Sequence, residues 1–188
     1  MSMEILTVQG STLLEAQLTS PLTIAVLAAA WLVSLAYIVS KRGSARRRIG
    51  MLLTSLAVTV IIVGAYAFTI KPGVEYGIYL EDSTIRVVFY MDREVKYNLC
   101  QVEVELVDRD EALNMIKIRT NGISDPTTGL AAGYFKTKDG LNAYMIITGK
   151  DVSKVITIRG SDSVTIVGMP GVEEAYNKLR EAYQSRCR

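Results

Sequence analysis

Two uncharged apolar runs with a knot of arginines between them constrain this chain more than anything else in it. No charged side chain occurs in residues 21–40 or in residues 49–70, while residues 41–48 carry Lys41, Arg42, Arg46, Arg47 and Arg48. At about 1.5 Å of rise per helical residue, each run is long enough to cross the roughly 30 Å hydrocarbon core of a bilayer. The sequence predicts a transmembrane helical hairpin over residues 21–71, with the lipid bilayer as its first partner. Both runs hold small residues, among them Ala25, Ala28, Ala29 and Ala30 in the first and Gly50, Ser55, Ala57, Gly64 and Ala65 in the second. Such residues let helix backbones approach closely, and packing is what associates helices in lipid. Tyr37 and Tyr66 suit interfacial anchors near span ends, whereas Trp31 lies nearer mid-span and suits packing between the helices.

The placement of lysine and arginine in short flanking segments gives an orientation. Residues 1–20 have none, and Lys71 stands alone just past the second run. The reading is therefore a cytoplasmic loop at 41–48, with both termini and the β domain outside the cytoplasm. The same five cations, Lys41, Arg42, Arg46, Arg47 and Arg48, suit contact with anionic lipid headgroups. Within residues 1–20, Leu13, Leu14 and Leu18 fall at helical spacing, the mark of a short interfacial helix. A signal peptide fits poorly, because Glu4 and Glu15 stand where basic residues belong and no small-residue cleavage site follows the long run.

Residues 72–188 hold 15 Lys and Arg against 17 Asp and Glu, a balance with no electrostatic footprint for nucleic acid. The chain has no histidine, which removes the commonest general base and metal ligand. There is no Gly-rich phosphate loop, no Ser-His-Asp order, no HExxH and no CxxC, so no cofactor or metal is expected. The acidic cluster at 108–111 lacks the spaced ligands of a calcium loop and reads as a solvated turn. Cys100 and Cys187 read as two unrelated thiols; the alternative is one bridge tying the C-terminal tail to a strand in an oxidising compartment.

Beyond the Pro72-Gly73 exit the pattern is β. Period-2 alternation marks strands at 75–80, 84–90, 93–99, 101–107, 115–120, 133–138, 141–148, 154–159 and 163–167. Glu81-Asp82-Ser83, Asp139-Gly140 and Gly160-Ser161-Asp162 mark turns between them. Residues 121–131, with two glycines and a proline, read as the longest loop, either functional or a mobile linker. Over 170–185 the period changes to that of a helix, with Val172, Ala175, Tyr176, Leu179 and Tyr183 as its apolar stripe. Seven or eight antiparallel strands and a capping helix describe a small barrel, or an orthogonal pair of sheets, with the helix plugging the open end.

Arg119-Thr-Asn-Gly-Ile123, Gly133-Tyr-Phe135, Lys154-Val-Ile-Thr-Ile-Arg159 and the closing helix together resemble the bacterial pleckstrin-homology-like domains, over residues 77–183. The resemblance implies a PH-like barrel of about seven antiparallel strands with a C-terminal capping helix, and it implies little chemistry. Eukaryotic relatives of that fold bind phosphoinositides through cations in the first hairpin loop. Here that loop is Glu81-Asp82-Ser83, whose carboxylates repel phosphate, so no phosphoinositide is expected.

The function expected is that of a membrane-anchored, non-enzymatic module that recognises a protein or peptide, with an exposed strand edge as one route. Arg119 and Asn121, which flank the long loop, and Tyr134 are the candidate contacts. The alternative is a structural or accessory subunit, homo-oligomers included, assembled through its transmembrane helices. A membrane-bound hydrolase acting through Cys100 or Asp108 is the third reading, and the one least supported without histidine.

Overall fold

The structure, a computed structural model, describes residues 2–39 and 44–187. β1 (Ser2–Gln9) and α1 (Gly10–Leu18) precede two long helices, α2 (Pro21–Val39) and α3 (Ala45–Thr69). Then follow β2 (Glu75–Glu81), β3 (Thr84–Tyr90), β4 (Arg93–Asn98), a 3-10 turn (Leu99–Gln101), β5 (Glu103–Asp108) and α4 (Arg109–Asn114). The chain ends with β6 (Ile116–Ser124), β7 (Ala131–Thr137), β8 (Asn142–Ile147), β9 (Lys154–Arg159), β10 (Ser163–Gly168) and α5 (Val172–Arg186).

α2 and α3 are long and apolar enough to cross a membrane, with mean hydropathies of 2.3 and 2.2 over windows only 11% and 6% buried. A core helix of similar composition would be mostly enclosed; these two present their apolar surface outward. Three polar rungs join them along an antiparallel seam. Thr23 meets the Tyr66 hydroxyl at 3.3 Å, Trp31 Nε1 donates to Thr59 Oγ1 at 3.2 Å, and the Ser34 and Ser55 hydroxyls meet. Trp31 thus lies against the partner helix, as its mid-span position implies. The second helix begins earlier than expected, at Ala45, because Arg46, Arg47 and Arg48 are good helix formers and make up its first turn rather than a loop. Lys41 and Arg42 fall outside the described residues.

Residues 1–20 divide differently from the expected interfacial helix. α1 carries Leu13, Leu14 and Leu18, but Ser2–Gln9 is a strand, antiparallel to β2. A bulge between Glu4 and Leu6 breaks its alternation and turns both Ile5 and Leu6 inward. α1 then packs where the chain leaves α3: Gly10 N–H donates to Val74 O at 2.8 Å.

The strands form two sheets, one ordered β1-β2-β3-β4 and the other β5-β9-β10-β8-β7-β6. The expected single barrel of about seven strands is not what forms: the ten strands leave free edges, and β8 and β10 run parallel. The break lies at the 3-10 turn, where Asn98 Oδ1 accepts from Cys100 N–H and the chain passes from the first sheet to the second without pairing β4 to β5. β10 folds back on β9 through the turn at 160–162 and takes the place between β9 and β8. The acidic segment expected as a plain turn is the start of α4, whose Ala112 caps a small second core with Phe135, Met145 and Ile166.

The main core lies between the sheets. The Phe89 ring packs against Tyr134 and Tyr144, with centroids 5.3 and 5.1 Å away. The Tyr97 hydroxyl bonds Ser163 and Thr165 across the same gap, and burial pushes its pKa up. α5 lies over both sheets, against β1, β5 and β9, and buries Val172, Ala175, Leu179 and Ala182. Ala182 takes the inward place expected of Tyr183, which is exposed. Cys100 and Cys187 form a disulfide with Cα atoms 5.3 Å apart, clamping the end of α5 to the 3-10 turn. They are not two unrelated thiols.

Candidate functional site

Unpaired backbone on a sheet edge is a ready template for another strand, and proteins ordinarily cover or charge such edges. β4 is short and carries Glu94, paired with Arg86 and Lys96. β1 and β5 have α5 packed against them. β6 is the longest edge and is left uncovered by α5: it is nine residues long, pairs only with β7 among the described residues, and exposes Lys117, Ile118, Arg119, Thr120 and Asn121 in succession, with Lys117 and Arg119 as its charges. Ile118 is 59% exposed.

The register of β6 on β7 shifts between Ile116 and Ile118 and again between Arg119 and Asn121, so Lys117 and Thr120 have no opposite number. Such bulges bend and twist a strand. Nearer the far end the strands come very close at Gly122 and Gly133. A Cβ on either glycine would lie 2.3 Å from a carbonyl oxygen of the other strand, and both have φ in the range that favours glycine.

Of the three candidate contacts, Arg119 and Asn121 stand on this exposed strand rather than beside a long loop, because β6 continues to Ser124. Tyr134 sits on β7 directly opposite Asn121, but its ring packs edge-on against Phe89, Tyr90 and Tyr144. It braces the strand that carries the edge. Arg46 and Arg47 are exposed at the opposite end of the helical pair, well separated in sequence and structure from β6.

The remaining loop, 125–130, is tied down rather than a free linker. Asp125, 2% exposed, accepts from the Thr127 backbone N–H at 2.8 Å, from the Thr127 hydroxyl at 2.6 Å and from Gln17 Nε2 of α1 at 3.3 Å. Burial pushes its pKa up, but the bonds from Thr127 and Ser20 together outweigh that and hold the carboxyl below its ordinary value. On the other side Arg109 donates to Gly129 O and Gly149 O, both at 3.2 Å. The hairpin-proximal end of β6 is therefore anchored to the helices, and the strand runs away from them. The anchoring roles of Asp125 and Arg109 leave no mark in the sequence, where an Asp-Pro-Thr in a polar loop or an Arg between acids looks like any polar turn.

Cys100 is bound in its disulfide and offers no thiol. Among the described residues no three His, Cys, Asp or Glu side chains lie close enough to hold a metal ion. No family model matches the chain, and no curated protein or solved structure does either.

Proposed function

We propose that this protein is a non-enzymatic, membrane-anchored β module that binds an extended segment of another polypeptide along the free edge of β6. The observation that carries the reading is the length and openness of that edge, with Ile118 exposed near its start. Peptides that add a strand to a sheet gain main-chain hydrogen bonds for affinity and use side-chain contacts for specificity.

Anchoring in the membrane is supported by two unburied apolar helices of sufficient length. β1, before α2, pairs with β2, after α3, so the two ends of the helical pair share one side. Two crossings satisfy that, and one does not. The arginines at the start of α3 support a cytoplasmic bend, and the disulfide supports an oxidising compartment for the β domain. The pleckstrin-homology-like relationship stays part of this reading on the strength of a mainly β domain that ends in a helix packed over both sheets.

A second reading, a subunit assembled through its helices, rests on a groove of about 340 Å³ along α2 and α3, lined by Ala29, Ala30, Val33, Ser34, Thr54 and Ser55 among others. A photo-crosslinking residue at Ile118, compared with one at Leu53 on the outer face of α3, separates the two in native membranes. The edge reading expects adducts from position 118 that disappear when Asn121→Pro blocks the edge. Adducts from position 53 alone overturn it in favour of assembly through the helices.

A further inference from the structure

The edge strand β6 and its neighbour β7 carry cations and no acid. β6 and β7 with their flanking residues, 115–124 and 131–138, contain Lys117, Arg119, Lys136 and Lys138 and no Asp or Glu. None of the four makes an ion pair among the described residues. Elsewhere on the β domain, Arg86, Lys96, Lys154, Arg159 and Lys178 are paired with carboxylates, and the cations without an ion pair, such as Arg93, Lys150 and Arg180, lie in segments that also carry Asp or Glu. Lys117, Arg119 and Lys138 are exposed and Lys136 is half-buried.

Their position along a strand that leaves the helical region at Asp125 favours a counter-charge other than the lipid of the protein's own membrane. Ser124 adjoins Asp125, which is bonded to Gln17 beside the helical pair. Lys117 lies seven residues up the strand, about 20 Å away at roughly 3.3 Å per residue, with Lys136 and Lys138 alongside it. A second copy of β6 is disfavoured by the same charges, since two edges without an acid between them bring Lys117 and Arg119 near their own counterparts. The free backbone of the edge favours a polypeptide over any other polyanion, because only a polypeptide continues the ladder.

Resting on the edge-binding reading above, we propose that the hairpin-distal half of β6 takes up an extended acidic segment of a partner protein, whose carboxylates pair with Lys117 and Arg119. Ile118, exposed between the first two cations, meets an apolar side chain of the added strand. The ligand chemistry is an alternating acidic and β-branched sequence.

The test uses the full chain in non-ionic detergent with its disulfide intact, titrated against short fluorescent peptides read by anisotropy. A peptide alternating valine and glutamate should bind about tenfold more tightly than one alternating valine and lysine, as two exposed ion pairs would give. Added salt should weaken it, and N-methylating alternate amides of the peptide should abolish binding. Lys117→Glu with Arg119→Glu, both surface changes, should reverse the preference. If both peptides bind equally and both are lost on N-methylation, the edge reading stands and the acidic partner is overturned. If the N-methylated acidic peptide or dextran sulfate binds as tightly, the edge reading falls and the patch is a general polyanion site. If neither peptide binds, the cations only guard the edge and the acidic partner is overturned.

Discussion

Asp125 is a small residue with two tasks: it folds its own loop through Thr127 and holds that loop to α1 through Gln17. Asp125→Ala leaves the Thr127 N–H and the Gln17 amide without their acceptor in a buried place. The expected cost is about 1–3 kcal/mol, read as a lower thermal midpoint in detergent and faster proteolysis within 125–130. The acid dependence has a definite sign. A carboxyl held below its ordinary value of 3.8 contributes stability that is fully present above that value and lost as pH falls through the lower folded one. Asp125→Asn should therefore flatten the loss of stability below about pH 4. Equal acid sensitivity in both chains would assign it to other carboxylates. Gly133 carries a different constraint, because a side chain there meets the backbone of β6 at 2.3 Å in a strained conformation. Gly133→Ala should destabilise the chain by about 2 kcal/mol or more and detach the β6 edge, measured as accelerated amide exchange across 116–124.

At the scale of elements, the polar rungs between α2 and α3 invite overvaluation. Hydrogen bonds between helices in lipid average about 0.6 kcal/mol, since the separated helices find other partners. Replacing Ser34 and Ser55 together by alanine should cost about 1 kcal/mol and leave the hairpin assembled, as engineered-cysteine crosslinking across the seam would report. Elements with a regular period were legible before any coordinates. The strands from β2 to β10 are β-branched and aromatic runs set off by turn residues, the closing helix has its own period, and their expected limits lie within a few residues of the observed ones. β1 was not legible, because its bulge buries Ile5 and Leu6 in succession and erases the alternation on which strands are recognised. α4 was hidden by brevity, six residues rich in charge. The sheet order was hidden for a deeper reason: nothing local to β8 says that β10, rather than β9, will lie beside it. The site was half legible. Arg119 and Asn121 could be picked out, but their standing on a free edge depends on which strand fails to find a second neighbour. The cations of β6 carry meaning only once that strand is known to be an edge.

The whole molecule is closed at two points that join its sequence extremes to its middle. β1 returns the N-terminus to β2 across the helical pair, and the disulfide returns the C-terminus to the turn between the sheets, 87 residues back. A cross-link over a loop of that length restricts the unfolded chain by about 4–5 kcal/mol in the chain-entropy account. Cys187→Ser should lower stability by a large part of that figure, free the end of α5, and abolish the mobility shift between reduced and unreduced gels. The same bridge makes the proposed orientation measurable. In intact cells a membrane-impermeant maleimide should leave the chain unlabelled at first, since both sulfurs are bonded. After an impermeant reductant it should label Cys100 and Cys187. That order requires the β domain to lie outside the cytoplasm, where disulfides persist. Labelling that appears only after lysis, whether or not reductant was added, would place the domain in the cytoplasm and the arginines at the start of α3 outside it, the reverse of the proposed topology. Since β1 and β2 share one sheet, it would reverse both ends of the hairpin together.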